Sequence, residues 1–193
     1  MTTPTTDHVY NVAPFDPYAE RITTGFAMLG GVLMLPILFW YFSGLRFTNF
    51  LLIPVAIAAA LAVYLTLAYA LQPTSYRIER EHVVIKRRWM RALRVPLKDI
   101  TGVSTAAMLA DVPRTGLRRA FNAGVFGYQG PFQLDPYGMV FFIATNRTRL
   151  VAVARMVDAP LILSPARPRE FVDALREALM ARNVPEEGDK MTR

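Results

Sequence analysis

Two long runs of apolar residues, neither containing a charge, constrain this sequence more than any other feature. The first run covers residues 22–42 and the second covers residues 50–71. At about 1.5 Å of rise per residue, a helix of either length crosses a hydrocarbon core about 30 Å thick. A core helix of a water-soluble protein is rarely apolar on every face over such a length. We therefore predict two membrane spans, which the short connection at residues 43–49 joins as an antiparallel hairpin.

The basic residues at the ends of the two runs predict how the hairpin is oriented. The connection contains one, Arg46, whereas Arg21 precedes the first run and five lysines and arginines lie between residues 77 and 88. Aromatic residues at positions 39–42 fit a belt at the opposite membrane surface. Both termini should therefore face the cytoplasm. Because neither span contains an ionisable residue, no ion path is predicted.

The regions outside the spans divide into a tail, a domain and a second tail. Residues 1–21 are polar and contain three prolines, which predicts an irregular cytoplasmic tail; docking of residues 13–18 on a partner is the less favoured alternative. The segment is not a secretory signal, because it lacks a basic n-region and a second span follows. Residues 76–183 are predicted to form a cytoplasmic domain, and residues 184–193 a flexible tail.

Charge and cysteine content restrict the chemistry of that domain. The net charge of the chain is +7, and 20 basic against 12 acidic residues follow Pro73. A membrane position explains this excess, so nucleic acid is not predicted as a partner. The chain contains no cysteine, which excludes disulfides, thiolate nucleophiles and cysteine-ligated metals.

Alternating apolar and charged residues predict short strands at the start of the domain. Strands are expected at residues 76–80 and 83–89, with a turn at Glu81 and His82 between them. A third strand at residues 93–97 contains Pro96, which favours an edge position.

The second half of the domain is predicted to contain apolar strands and one helix. Strands at residues 137–145 and 150–154 flank a hairpin turn at residues 146–149, and a last strand covers residues 160–163. Residues 106–110 fit a strand or a helical turn, and residues 111–116 a loop. The final helix begins near Pro168, and its apolar stripe should close one end of the sheet: Phe171, Leu175 and Leu179.

Glycines at positions 124, 127 and 130 alternate with aromatic residues. Their G-x-x-G-x-x-G spacing matches neither the phosphate-binding loop nor the dinucleotide fingerprint. Glycines at this spacing favour a bent, bulged strand with a close backbone contact over a nucleotide site.

Four segments together resemble the bacterial pleckstrin-homology (PH)-like domain family: residues 124–130 (Gly-Val-Phe-Gly-Tyr-Gln-Gly), 144–146 (Ala-Thr-Asn), 161–165 (Leu-Ile-Leu-Ser-Pro) and 168–171 (Pro-Arg-Glu-Phe). The resemblance covers roughly residues 76–180. It implies a seven-stranded, strongly bent sheet capped by a C-terminal helix, in many members preceded by two spans. It implies no catalytic residue, and phosphoinositide binding is not carried over from the eukaryotic domains. The predicted fold class is a membrane-anchored α+β protein of a bacterial inner membrane.

Two sets of residues are candidate contact sites. The densest basic stretch either contacts anionic lipid headgroups or forms a solvated cytoplasmic face: Lys86, Arg87, Arg88, Arg91, Arg94 and Lys98. Small residues at helical spacing are candidates for helix packing: Ala27, Gly31, Ala56 and Ala60. These small residues either hold the two spans together or leave a face for another membrane protein.

Three functions remain open from the sequence. The favoured one is a non-enzymatic accessory, assembly or scaffolding subunit of a larger membrane protein complex. The alternative is a peripheral domain that senses anionic lipids. An enzyme is the remote third, because His8 and His82 are isolated and three aspartates, Asp99, Asp111 and Asp135, fall in predicted turns. No cofactor or metal site is predicted; the expected partners are membrane lipids and another integral membrane protein.

Overall fold

A computed structural model describes residues 8–43, 48–106, 109, 117–118, 122–134 and 138–183. These residues form the predicted α+β architecture, in which two long apolar helices precede a β-sheet domain and a C-terminal helix. The predicted loop at residues 111–116 and the tail at residues 184–193 lie outside the described residues.

The first two helices contain the two apolar runs. Helix α1 covers Pro17–Ser43 and helix α2 covers Thr48–Leu71, and each is long and apolar enough to cross a membrane. They pack against each other: a Cβ on Gly30 would lie 3.7 Å from the side chain of Leu61, and the rings of Phe26 and Tyr64 are 6.0 Å apart. Because earlier positions of α1 meet later positions of α2, the pair is antiparallel, as predicted.

Eleven strands are described, in two sheets. The first sheet has the order β1-β2-β3-β4, and every pair in it is antiparallel. Its strands are β1 (His8–Asn11), β2 (Pro73–Ile78), β3 (His82–Arg87) and β4 (Leu93–Pro96). Strand β4 is at the edge, as Pro96 predicted, and the turn before β3 lies slightly earlier than expected, since His82 already belongs to the strand.

The second sheet has the order β5-β10-β11-β9-β8-β6, with β7 also paired to β8. Its strands are β5 (Ile100–Thr105), β6 (Leu117–Arg118), β7 (Asn122–Gly124), β8 (Gly127–Leu134), β9 (Gly138–Ala144), β10 (Val151–Arg155) and β11 (Leu161–Leu163). Helix α3 (Pro168–Asn183) follows. The resemblance implied a seven-stranded, strongly bent sheet; the described residues form two sheets, of four and seven strands. Together these sheets and α3 are called the roll.

One strand pairing differs from the sequence prediction. Strands β9 and β10 were expected to form a hairpin, but β11 lies between them, parallel to β9 and antiparallel to β10. Its three residues are almost fully buried, as is usual for a strand with neighbours on both sides. The connection between β9 and β10 must therefore span about two inter-strand spacings, roughly 10 Å, rather than one.

Apolar side chains fill two core clusters. The larger cluster lies between the first sheet, the second sheet and α3, and it includes Tyr76, Ile143 and Leu163. The predicted helix stripe packs there: Phe171 and Leu175 are buried and Leu179 is partly buried. The smaller cluster covers the other face of the second sheet and includes Ala19 from the first turn of α1.

Residues 8–11 are not part of an irregular tail, contrary to the sequence prediction. Residues 8–11 form β1, which pairs antiparallel with β2 in the register His8↔Ile78 to Asn11↔Ser75. The prediction was wrong here because β2, the first strand after the apolar helices, has an edge that β3 leaves unpaired. The backbone groups at that edge can form hydrogen bonds with another strand. The two apolar helices are therefore an insertion between two hydrogen-bonded strands of one sheet.

Candidate functional site

Residues 12–16, called the seam segment, cross from the first sheet to the second. Val12 forms an isolated bridge with Pro165, and the N–H of Ala13 donates to the carbonyl of Ser164 at 2.8 Å. The Thr145 hydroxyl donates to the carbonyl of Ala13, and Asn146 Nδ2 donates to the carbonyl of Pro14 at 2.8 Å. The segment is thus held by the end of β9 and the end of β11.

Asp16 ends the seam segment and is almost completely buried, with 1% of its surface exposed. Its carboxylate accepts hydrogen bonds from the N–H groups of Tyr18 and Ala19. These groups belong to the first turn of α1, where backbone N–H donors have no acceptor within the helix. It also accepts from the Tyr128 hydroxyl and, at 3.0 Å, from the N–H of Arg147. One carboxylate therefore caps α1 and fastens it to the second sheet.

The surroundings of Asp16 explain the protonation behaviour of its neighbour. Burial raises the pKa of Tyr128, and the negative charge of Asp16 raises that pKa further. The guanidinium of Arg147 lies with Nε 3.9 Å from the Asp16 carboxylate and stacks over the Tyr18 ring at 5.3 Å. Tyr128 therefore stays a neutral hydrogen-bond donor, as its contact with a carboxylate requires.

Ser164 and Tyr76 join the two sheets behind the seam segment. Ser164 Oγ accepts from the backbone N–H of Thr145 at 2.7 Å, and the Tyr76 hydroxyl donates to the carbonyl of Ile143 at 2.9 Å while accepting from the N–H of Ser164. Burial raises the pKa of Tyr76 to about 12. These bonds satisfy polar groups that the core removes from water.

The glycine-rich stretch forms a hairpin rather than the bent strand that was predicted. Strands β7 and β8 pair from Asn122↔Gln129 to Gly124↔Gly127, with Val125 and Phe126 at the tip. The predicted close backbone contact is confirmed at Gly127, where a Cβ would lie 2.6 Å from the carbonyl oxygen of Ala144. A Cβ on Gly124 would lie 3.2 Å from the Tyr18 ring, so α1 packs directly on the hairpin.

The tip of this hairpin contacts both apolar helices. Thr23 Oγ1 of α1 accepts from the N–H of Phe126 at 2.9 Å. On the α2 side, the Tyr64 hydroxyl donates to Asn122 Oδ1 at 3.3 Å, and the Phe126 ring meets the Tyr69 ring edge to face at 5.3 Å. Phe126 has a positive φ of 54°, a conformation that costs energy in any residue with a side chain.

The turn between β3 and β4 is attached to the last turn of α2. The N–H groups of Arg88 and Trp89 donate to the carbonyls of Gln72 and Ala70 at 3.0 and 3.2 Å. Arg88 Nη1 donates to the Tyr69 hydroxyl at 2.9 Å, and its guanidinium carbon lies 4.5 Å from the centre of that ring. The Trp89 ring meets Tyr69 edge to face at 5.1 Å.

The six predicted basic residues do not form one cluster. Arg88 and Arg91 lie in the turn beside α2, and Lys86 and Arg87 end the strand that leads into it. Arg94 lies within β4, and Lys98 lies beyond it, next to Leu97, whose N–H donates to the carbonyl of Glu81 at the opposite end of the sheet. Five of the six are exposed; Arg87 is partly buried, and burial lowers its pKa.

The four small residues proposed for helix packing lie away from the contact between α1 and α2. Ala27, Gly31, Ala56 and Ala60 are all exposed, and a Cβ on Gly31 would meet nothing within 4 Å. Gly30 instead faces α2, as its contact with Leu61 shows. The two helices therefore leave these small side chains facing outwards.

The sequence model of the family described as bacterial PH domain matches residues 74–179, more than half of the chain. The chain belongs to the bacterial PH domain family. No curated protein matches it. The matched region begins after α2, so the seam segment and β1 lie outside it, whereas their contacts Tyr128, Thr145 and Ser164 lie within the segments that carried the resemblance.

Sequence reasoning missed the role of Asp16. The signal was present, because aspartate followed by proline is typical of the N-cap and first position of a helix. It places the start of α1 at Pro17, one turn before the first apolar run. The pairing of Asp16 with Tyr128 and Arg147 has no local signal, since more than 100 residues separate them.

Proposed function

We propose that this protein is a non-enzymatic, membrane-anchored PH-like module that acts as an accessory or assembly subunit of a larger membrane protein complex. One observation carries the proposal: β1 and β2 are hydrogen-bonded neighbours although both apolar helices lie between them in sequence. The anchor is therefore built into the domain rather than attached to it by a linker.

This arrangement supports the orientation that the basic residues predict. The pairing of β1 with β2 requires the start of α1 and the end of α2 to lie on the same side of a membrane. Arg21 and the basic residues after α2 favour the cytoplasmic side for that end. Both termini and the roll are thus proposed to lie on the cytoplasmic face of a bacterial inner membrane.

The roll is fastened to both helices, which suits a subunit that holds a partner at a fixed place. Asp16 and Thr23 join α1 to the second sheet, while Ala70 and Gln72 join α2 to the turn after β3. A domain bonded at both ends of its anchor cannot swing freely to search the membrane surface.

The outward-facing small residues support a partner that contributes its own transmembrane helix. Without a hydrophobic driving force in lipid, helices associate where small residues allow close backbone approach. Ala27 and Gly31 on α1, and Ala56 and Ala60 on α2, are exposed and available for such an approach.

Four buried polar residues support a non-catalytic role. Asp16, Thr145, Asn146 and Ser164 all take part in bonds that hold the seam segment or join the sheets. Among the residues that the structure describes, no group of three potential metal ligands comes together. A nucleophile or general base with a free reactive atom in a cleft is therefore not proposed.

Gentle solubilisation of a tagged full-length protein tests the proposal. The wild type should co-purify with a stoichiometric integral membrane protein, and the double variant Gly31→Leu, Ala60→Leu should lose it because leucine blocks close helix approach. Met28→Leu, also on an exposed position of α1, is the matched control and should retain the partner. Repeated recovery of the wild type alone would contradict the proposal.

A peripheral lipid-sensing role is the second candidate. The contacts between the turn at Arg88 and the end of α2 favour it, because they fix basic residues where a span would leave the membrane.

A further inference from the structure

Residues 88–91, called the collar turn, are fixed at the end of a predicted span. The N–H of Trp89 donates to the carbonyl of Ala70 in the last turn of α2, the N–H of Arg88 donates to the carbonyl of Gln72 just after that helix, and the Arg88 side chain is held on the Tyr69 ring. These bonds hold the backbone of Arg88 and Trp89 beside the end of α2.

The exposed side chains of the collar turn have the chemistry of a membrane interface. Trp89 is 66% exposed and Met90 is 46% exposed, beside the exposed cations Arg88 and Arg91. Tryptophan and arginine place apolar surface in the acyl boundary and polar groups among headgroups, so this combination is typical of the interfacial layer. In water, most of the Trp89 surface and nearly half of the Met90 surface would remain exposed, although the Trp89 ring contacts Tyr69.

The residues of the basic stretch lie at both ends of the first sheet. Arg88 and Arg91 lie at the end attached to α2, whereas Lys98 follows β4 at the opposite end, beside Glu81. With about 3.3 Å per strand residue, Lys98 lies about 15 Å from the collar turn. This exceeds the Debye length of about 8 Å at physiological ionic strength, so Lys98 interacts little with a surface at the collar turn.

We propose that the collar turn binds the anionic phospholipid headgroups of the leaflet next to the roll. Trp89 and Met90 insert into the interface, and Arg88 and Arg91 contact headgroup phosphates. The inference rests on the membrane anchor proposed above, and it restricts lipid contact to one end of the basic stretch. Charge complementarity and continuity with the apolar surface of α2 identify lipid as the occupant.

Fluorescence of the full-length protein in liposomes tests this proposal, because the chain has only two tryptophans, Trp40 and Trp89. In the Trp40→Phe variant, Trp89 is the sole probe. Lipids brominated high on the acyl chain should quench Trp89, and acrylamide should quench it poorly. Adding phosphatidylglycerol to phosphatidylcholine should strengthen both effects.

Two charge reversals at the ends of the sheet form a matched pair. Because one basic residue near an anionic surface contributes about 1 kcal/mol, Arg91→Glu should lower the ratio of inserted to withdrawn Trp89 at least about fivefold in phosphatidylglycerol liposomes. Lys98→Glu should leave this ratio unchanged. Equal effects of the two variants would overturn the assignment of the site.

The reciprocal Trp89→Phe variant separates failure of this site from failure of the anchor. Trp40 lies in α1 and should be quenched by brominated lipid whether or not the collar turn binds headgroups. Quenched Trp40 with acrylamide-accessible Trp89 in both lipids would overturn the lipid site and leave the anchor standing. If neither tryptophan is quenched by lipid, both proposals are wrong.

Discussion

The Tyr128 hydroxyl lies 2.9 Å and 3.1 Å from the two carboxylate oxygens of Asp16, although 112 positions separate the residues in sequence. Asp16 directly precedes α1 and caps it, and Tyr128 belongs to β8, so this contact links the first apolar helix to the roll. The same carboxylate caps the helix, and helix and sheet therefore depend on one buried acid.

Removing that acid should destabilise the protein strongly. Asp16→Ala leaves the Tyr128 hydroxyl and three backbone N–H groups without their acceptor, and we expect a loss of about 3 kcal/mol. Thermal unfolding of the roll in detergent, followed by near-UV circular dichroism, measures it. Asp158→Asn is the control, since Asp158 pairs with Arg155 at the surface and should change stability by under about 0.5 kcal/mol. Equal effects would contradict the proposed role of Asp16.

Gly127 should not tolerate a side chain. Gly127→Ala places a Cβ 2.6 Å from the Ala144 carbonyl oxygen, well inside van der Waals contact, and φ at this residue is 114°. We expect a loss of about 2 kcal/mol or more in the same unfolding measurement. Gly102→Ala provides the control, because a Cβ there meets nothing within 4 Å and the strand conformation suits alanine. The idea fails if Gly127→Ala unfolds no earlier than Gly102→Ala.

Deprotonation of Tyr76 should contribute to a loss of stability at alkaline pH. Its pKa is raised from 10.0 to about 12, so the folded state favours the neutral phenol. The stabilisation that results from this pKa shift is fully present below pH 10. It is lost as pH rises towards about 12, at about 1.4 kcal/mol per pH unit. Free energies of unfolding measured over this window should show the slope.

Tyr76→Phe checks the assignment of that slope. The variant loses the bonds to Ile143 and Ser164, which should cost about 1–2 kcal/mol at neutral pH. Its stability should then fall less steeply above pH 10 than that of the wild type. An unchanged slope would assign the alkaline loss to other groups.

Both ends of the helical hairpin should be found in one compartment. Single cysteines are informative because the chain has none of its own. A membrane-impermeant maleimide applied to intact spheroplasts should label Arg46→Cys and should reach Val9→Cys and Lys98→Cys only after permeabilisation. Labelling of Val9→Cys and Arg46→Cys from the same side would contradict the proposed topology and with it the pairing of β1 and β2.

The elements with a repeating pattern were predictable from sequence. The apolar runs predicted α1 and α2, alternation predicted strands β2 to β4, and the four-residue repeat from Phe171 predicted α3. Predictions failed where a segment takes its structure from distant residues. Residues 8–11 have no strong pattern of their own and become a strand only against β2. Strand β11 has neighbours on both sides only because it lies between β9 and β10 in the folded sheet.

The candidate sites divide in the same way. The basic stretch was visible as six residues, but its separation into a collar turn and a distant Lys98 depends on the fold of β3 and β4. The small residues were visible as a spacing, but their outward orientation depends on how α1 and α2 meet.

The sequence by itself determined which segments are apolar enough for a lipid environment and which are polar enough for water. Hydropathy and charge are properties of the residues, and they accumulate along a segment. It also determined the family, since the Gly-aromatic and Ser-Pro segments are local. Only the tertiary structure decided that residues before the first helix complete the domain. Hydrogen bonds such as those of Asp16 join groups that no local pattern relates, and burial alone makes them strong enough to matter.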